Sequence, residues 1–85
     1  MPLRRHPDIA WQQIGDEAVV MSLGEGRVLG LNPTGTLLWS LVEECDEDGL
    51  VAAVVERFAT DAASAREDVR GFLTLLRERG LLGEA

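Results

Sequence analysis

Cysteine, histidine and lysine are close to missing from this sequence, and each shortage excludes something. The single cysteine, Cys45, excludes an internal disulfide framework and a thiolate zinc site. The single histidine, His6, stands in the N-terminal segment among prolines and arginines and reads as a solvated side chain. There is no lysine: all eight basic residues are arginine, set against 15 acidic ones for a net charge of -7. Phosphate recognition needs clustered cations, so this balance argues against nucleic acid as a partner. It permits a basic or apolar peptide partner. Long apolar runs are missing too. No segment approaches the ~20 apolar residues of a membrane helix, so no membrane association is expected. No signal peptide is expected either, because Arg4 and Arg5 lead into His6-Pro7-Asp8 and not into an apolar run. The cytosol is the expected compartment.

What is present suits one small folded unit. The chain has 85 residues, 46% of them hydrophobic, enough for a packed core. A single domain over residues 1–85 is expected, with residues 1–8 as a flexible lead-in broken by Pro2 and Pro7. The core must be small, so a surface shared with a partner fits the size.

The most structured stretch runs from Glu17 to Trp39, EAVVMSLGEGRVLGLNPTGTLLW. Ala18–Leu23 is a valine-rich strand candidate. Gly24-Glu25-Gly26 reads as a tight turn in which glycine supplies positive φ. Arg27–Leu31 is the return strand, with Leu29 and Leu31 on one face and Val28 and Gly30 on the other. Ile9–Ile14 is a third strand candidate ahead of these, joined by a Gly15-Asp16 turn. Three such strands in succession predict an antiparallel meander with the first and last at its edges.

Asn32 then caps a helix, and Pro33 takes the first helical position, where its missing N–H costs nothing. The helix is expected over Pro33–Glu44 with Leu37, Leu38, Leu41 and Val42 as its apolar stripe. Thr34 and Gly35 are weak helix formers placed where they cost least. A charged linker, Glu43 to Asp48, leads to a second helix over Gly49–Ala59, with Asp48 as its expected cap and Leu50, Val51, Val54, Val55 and Phe58 inward. Ser64-Ala65-Arg66-Glu67 fits a capping box that opens a third helix, which runs to about Arg79 and is closed by Gly80. Val69, Phe72, Leu73 and Leu76 form its core stripe. Leu75 lies about 100° round from Leu76 and shares its side with Asp68 and Arg79. An apolar residue there is either incidental or a contact site. The predicted fold class is α+β, winged helix-turn-helix-like: a three-stranded antiparallel sheet followed by three helices. Winged helices often bind DNA through a basic helix, but here Arg66, Arg70, Arg77 and Arg79 are nearly balanced by Glu67, Asp68 and Glu78 on an acidic chain.

Catalytic chemistry finds no support. Cys45 follows two glutamates, which raise a thiol's pKa, and has no histidine near it in sequence, so it reads as inert. The acidic cluster around Asp46 lacks calcium-loop spacing and reads as a solvated linker. The glycines of 24–26 join two strands and are too few for a phosphate loop. Trp11 and Trp39 read as core anchors. No enzyme, metal or cofactor is expected.

Taken together, W-x-x-I-x-D-E-A-V-V in Trp11–Val20, G-R-V-L-G-L-N-x-T-G in Gly26–Gly35, Leu38-Trp39, D-V-x-x-F-L in Asp68–Leu73 and Arg79-Gly80-Leu81-Leu82 resemble the PqqD-like family. Each motif is mostly hydrophobic spacing; their order and intervals carry the resemblance, which covers Ile9 to Leu82. Members are recognition elements that hold the leader segment of ribosomally made, post-translationally modified peptides. The form of Gly26–Trp39 is most similar to the free-standing recognition protein of lasso-peptide clusters. That resemblance implies three partners: a precursor leader peptide, a transglutaminase-like cysteine protease that acts as leader peptidase, and an ATP-dependent lasso cyclase. The length leads one to expect no fused radical enzyme. Two alternatives stay open: a PqqD-type peptide chaperone of another modified-peptide or quinone-cofactor pathway, and a winged-helix interaction module that uses another face.

The resemblance also implies a site. The leader would add as an extended strand to the free edge of Arg27, Val28, Leu29, Gly30 and Leu31, where backbone hydrogen bonds give affinity and side-chain pockets give specificity. Asp68, Phe72, Leu75 and Arg79 of the third helix would form the groove wall. The bland alternative is a solvated strand edge and an incidental Leu75. An unpaired edge can also pair with its own copy.

Overall fold

The structure, a computed structural model, describes residues 3–5, 8–24 and 26–84. Along the chain lie β1 (Leu3–Arg5), β2 (Ile9–Ile14), β3 (Glu17–Ser22), β4 (Arg27–Leu31), α1 (Pro33–Leu41), α2 (Glu47–Phe58), α3 (Ala62–Glu78) and β5 (Leu82–Glu84). The fold is α+β, and a three-stranded antiparallel sheet of order β2-β3-β4 precedes three helices. The central strand is β3, so the outer edge of β4 carries no strand partner within the sheet.

Register fixes the faces. Ala18 lies opposite Leu31, and Val20 opposite Leu29 and Trp11. Ala18, Val20 and Leu31 are buried and form the inner face, while Val19, Met21 and Val28 point outward and stay exposed. The helices close over the inner face. Leu38, Trp39 and Val42 come from α1 and its cap, Leu50, Val51 and Val54 from α2, and Ala65, Val69, Leu73 and Leu76 from α3. Burial of such apolar area is the main term that holds so small a domain. Trp39 and Leu76 are fully enclosed.

Caps set the helix ends. The Asn32 side chain accepts a hydrogen bond from Gly35 N at 2.8 Å and opens α1 as expected. The other two starts are corrected. Asp46, not Asp48, caps α2 by accepting from Gly49 N at 2.9 Å. Glu47 and Asp48 sit in the first turn, where they meet Arg66 at 2.6 and 2.7 Å; Glu47 also meets Arg70 at 3.2 Å. The acidic stretch is therefore not merely a solvated linker: it ties α2 to α3. Asp61 caps α3 and accepts from Ser64 N at 2.7 Å, so Ser64 lies inside the first turn and is not itself the cap. Those hydrogen bonds hold the Asp61 carboxyl below its usual pKa. At the far end Gly80 has φ +69, with Gly80 N bonded to Arg77 O at 3.1 Å and Leu81 N to Leu76 O at 2.8 Å. This is a Schellman ending, and it drives Leu81 back onto the core. α1 stops at Leu41, short of the expected Glu44.

Two further expectations change. Leu3–Arg5 is not a loose lead-in: it forms a short antiparallel pair with Leu82–Glu84. Trp11 is not a buried anchor but is 39% exposed, because β2 is an edge strand. Its ring meets Trp39 edge-on at 6.1 Å, and the Arg5 guanidinium lies 5.1 and 5.0 Å from the two ring centres. In the hairpin, Gly26 has φ +68 but Gly24 does not take positive φ. The expectations for Pro2, His6, Pro7 and Glu25 lie outside the described residues. Among the described residues, no helix is long and apolar enough to cross a membrane, and no acidic, cysteine or histidine group is arranged to hold a metal.

Candidate functional site

A groove opens between the C-terminal end of β4, the first half of α1 and one face of α3. Its volume is about 540 Å³. Gly30 and Leu31 form its strand side, Asn32, Thr34, Gly35 and Leu38 its floor, and Glu67, Asp68, Gly71, Phe72 and Leu75 its helical wall. A separate, mostly apolar hollow of about 10 Å³, room for one water, lies at the other half of the strand, lined by Val20, Ser22, Arg27, Val28, Leu29, Arg79 and Leu81.

The nine residues expected at the site thus fall into two neighbouring sets. Gly30, Leu31, Asp68, Phe72 and Leu75 line the main groove, while Arg27, Val28, Leu29 and Arg79 line the hollow beside it. Together they follow β4 from end to end and α3 from Asp68 to its C-cap. Val28 is 58% exposed on the outer face of the strand. Leu75 is half-buried, and its neighbour Leu76 is wholly buried. Phe72 is also half-buried and packs against the core from the groove side, which reconciles its place on the apolar stripe with a place in the wall.

Sequence reasoning missed Asn32, Thr34, Gly35, Leu38, Glu67 and Gly71. A signal existed for one of them. Gly71 lies three residues from Asp68 and four from Leu75, on the face they mark, whereas Glu67 sits about 100° round from Asp68. The α1 residues gave no such signal. Gly35 reads as a tolerated weak helix former, yet a Cβ there would lie 3.1 Å from Phe72 Cε1. Its missing side chain is what lets α1 and α3 approach at the groove floor. Gly71 faces open space, since a Cβ there would meet nothing within 4 Å. A glycine in a helix interior costs about 1 kcal/mol relative to alanine, so helix stability does not explain it.

The groove sets apolar side chains at Leu38, Phe72 and Leu75 beside two carboxylates and a strand edge, an arrangement that suits binding of an extended chain. Asp68 and Glu67 make no ion pair with any described residue. The arginines nearest them on α3, Arg66 and Arg70, are turned to Glu47 and Asp48 on α2. Those carboxylates raise the Arg66 pKa further, with Asp48 the larger influence.

The profile of the family described as coenzyme PQQ synthesis protein D (PqqD) matches residues 17–82. The chain belongs to the PqqD family. No curated protein matches its sequence at a significant level. Among solved structures, TbiB1 in complex with the TbiA(beta) leader peptide is 31% identical, with a TM-score of 0.87 over 96% of this chain and 98% of TbiB1. A lasso peptide synthetase B1 complexed with the leader peptide has a TM-score of 0.85 over 98% of this chain and 99% of its own; at 19% identity it shows a shared fold. The family match begins at Glu17, with β3, whereas both structural matches take in nearly the whole of this PqqD-family chain.

Proposed function

We propose that this protein captures the leader segment of a ribosomal precursor peptide by strand addition and presents it, without chemistry of its own, to a leader peptidase and an ATP-dependent cyclase of a lasso-peptide pathway in the cytoplasm. One observation carries the reading. The outer edge of β4, which has no strand beside it among the described residues, runs beside a groove walled by α3, on a fold shared with TbiB1, which was solved holding a leader peptide. An extended peptide on that edge gains backbone hydrogen bonds that tolerate many sequences. Phe72, Leu75 and the floor at Gly35 and Leu38 offer apolar pockets to its alternate side chains.

The test is a titration with a synthetic leader peptide from the precursor gene that neighbours this protein's gene. Saturable one-to-one binding, with amide shifts confined to 27–35 and 67–80, supports the reading. Absence of binding, or shifts confined to β2 and the outer sheet face, removes it. Adding the separately purified peptidase and cyclase then tests presentation: leader removal should require the peptidase and should accelerate when this protein is present.

A further inference from the structure

Charge of opposite sign stands at the two ends of β4, acidic in the groove and basic at the hollow beside it. At the end beside Gly30 and Leu31 stand Glu67 and Asp68; beside Arg27 stands Arg79. Neither Asp68, Glu67 nor Arg79 has an ion-pair partner among the described residues. The cations that would otherwise neutralise the acidic end, Arg66 and Arg70, are committed to α2. The N-terminus of α1 also reaches the acidic end, through Asn32 and Thr34. A helix N-terminus carries only about half a positive charge, and Asn32 already caps Gly35 N. Two full carboxylates outweigh it.

Resting on the leader-binding reading above, we infer that the bound segment carries a basic residue followed, about five residues later, by an acidic one, and that this order selects both the peptide and its direction. The order follows from the sheet. Its strands are all antiparallel, and antiparallel pairing is the slightly more stable kind. A strand added antiparallel to β4 begins beside Leu31 and ends beside Arg27. Its earlier residues therefore face Glu67 and Asp68, and its later ones face Arg79. The spacing follows from the helix. Asp68 and Arg79 are separated by 79 − 68 = 11 positions, about 16 Å at 1.5 Å per residue. An extended peptide covers that distance in about five residues at ~3.4 Å each. A peptide laid in reverse would set like charges against like at both ends, so polarity penalises the wrong register as well as favouring the right one.

Two measurements test this with the full chain. In the first, two versions of the neighbouring-gene leader peptide are made with identical composition. One has Lys ahead of Glu at the five-residue spacing, the other Glu ahead of Lys. The wild-type protein should prefer the first by roughly five- to tenfold at low salt, with the preference shrinking as salt rises. The double variant Asp68→Arg with Arg79→Glu should reverse the preference; both side chains are exposed, so the fold is expected to survive. In the second, a nitroxide on the peptide's N-terminal end should broaden amide signals at 30–32 and 67–71, and one on its C-terminal end those at 27 and 79–81. Equal affinity for the two peptides, or a preference that the double variant does not reverse, overturns charge selection while leaving groove binding intact. Reversed broadening overturns the direction. Failure of the unaltered leader to bind removes the leader-binding reading and this inference with it.

Discussion

Gly35 of α1 and Phe72 of α3 touch across the groove floor, and the contact exists because Gly35 has no side chain: a Cβ would fall 3.1 Å from Phe72 Cε1. The same Cβ would lie 3.3 Å from Asn32 Oδ1, the atom that caps the helix. The ring and the cap are thus positioned by one missing methyl group.

Gly35→Ala should therefore act on binding more than on stability. The helix gains less than the ~1 kcal/mol of an interior position, because Gly35 lies in the first turn of α1, and the tight contact costs a similar amount or somewhat more. The net change in a thermal melt should be small. The Phe72 ring must move by a few tenths of an ångström, and leader affinity should fall several-fold. A melting loss with unaltered affinity in the folded protein would show that Phe72 does not shape the groove.

Gly71 makes the opposite case. Nothing lies within 4 Å of its would-be Cβ, and it sits on the groove face of α3. Gly71→Ala should raise stability by roughly 0.5–1 kcal/mol through helix propensity. If the open space accommodates the peptide, affinity should fall in the same variant. A variant that is both more stable and equally tight-binding would place the peptide elsewhere on the wall.

Much of this was legible in the residues, and the failures have physical causes. The span Ile9–Ile14 is legible from its β-branched and aromatic residues and the Gly15-Asp16 turn that ends it, although Ile14 breaks the alternation and the strand is almost wholly exposed. Strand β4 and the start of α1 were read from Gly26, Asn32 and Pro33, whose backbone demands are local. The pair Leu3–Arg5 and Leu82–Glu84 was missed, since strands of three residues carry no periodicity and their pairing spans the whole chain. The caps of α2 and α3 were misplaced because each region offers competing oxygen acceptors. At α2, tertiary ion pairs hold Glu47 and Asp48 inside the helix and leave Asp46 as the cap. Leu75 was the one groove residue that the sequence itself marked as odd. The contact that makes Gly35 part of the groove floor is with Phe72, 37 positions away (72 − 35), which no local pattern reveals.

Strand addition itself is tested by proline. Proline at Val28 and, separately, at Leu29 removes one backbone N–H each and fixes φ near −65°. Alternate residues of an edge strand turn their N–H groups outward, so one of the two variants must lose a donor on the free edge. That variant should bind leader peptide at least tenfold more weakly, about 1.4 kcal/mol, while circular dichroism stays native. Unaltered affinity in both folded variants would remove the β4 edge from the binding surface.

Leu75 and Leu76 form an internally controlled pair. Leu76 is wholly buried on the core stripe, and Leu75 is half-buried at the groove wall. Leu76→Ala should cost ~2–5 kcal/mol, as buried leucines do. Leu75→Ala should cost clearly less and instead reduce leader affinity by roughly tenfold. Equal melting losses for both, with affinity intact in the folded fraction, would make Leu75 a core residue and move the groove.

The last prediction concerns the side of the molecule away from the groove. Arg5 lies between Trp11 and Trp39, with its guanidinium 5.1 and 5.0 Å from the ring centres. Its Nη2 donates to Trp39 O, its Nη1 lies 3.3 Å from Glu43 Oε1, and its backbone N donates to Glu43 Oε2 at 3.0 Å. This one side chain fastens β1 to α1 and covers the otherwise open edge of the tryptophan pair. Arginine suits the place because its delocalised cation lies near both ring centres, which stand at 83° to each other, while its N–H groups still donate to Trp39 O and Glu43; a lysine ammonium cannot do both. The Arg5 side chain is 20% exposed, so solvent weakens the ion pair but leaves the ring contacts largely desolvated. Arg5→Ala should cost about 2 kcal/mol, a fall in Tm of roughly 8–16 °C for a domain of this size. Trp39 emission should shift to longer wavelength as water reaches the ring. Arg5→Lys should recover only part of the loss, and Glu43→Gln should cost less than Arg5→Ala. Leader affinity at a temperature where all variants are folded should not change, because the cluster lines neither the groove nor the hollow beside it. A melt unchanged by Arg5→Ala would mean that the Arg5 side chain contributes nothing to the fold, and a lost affinity would mean that the cluster reaches the groove.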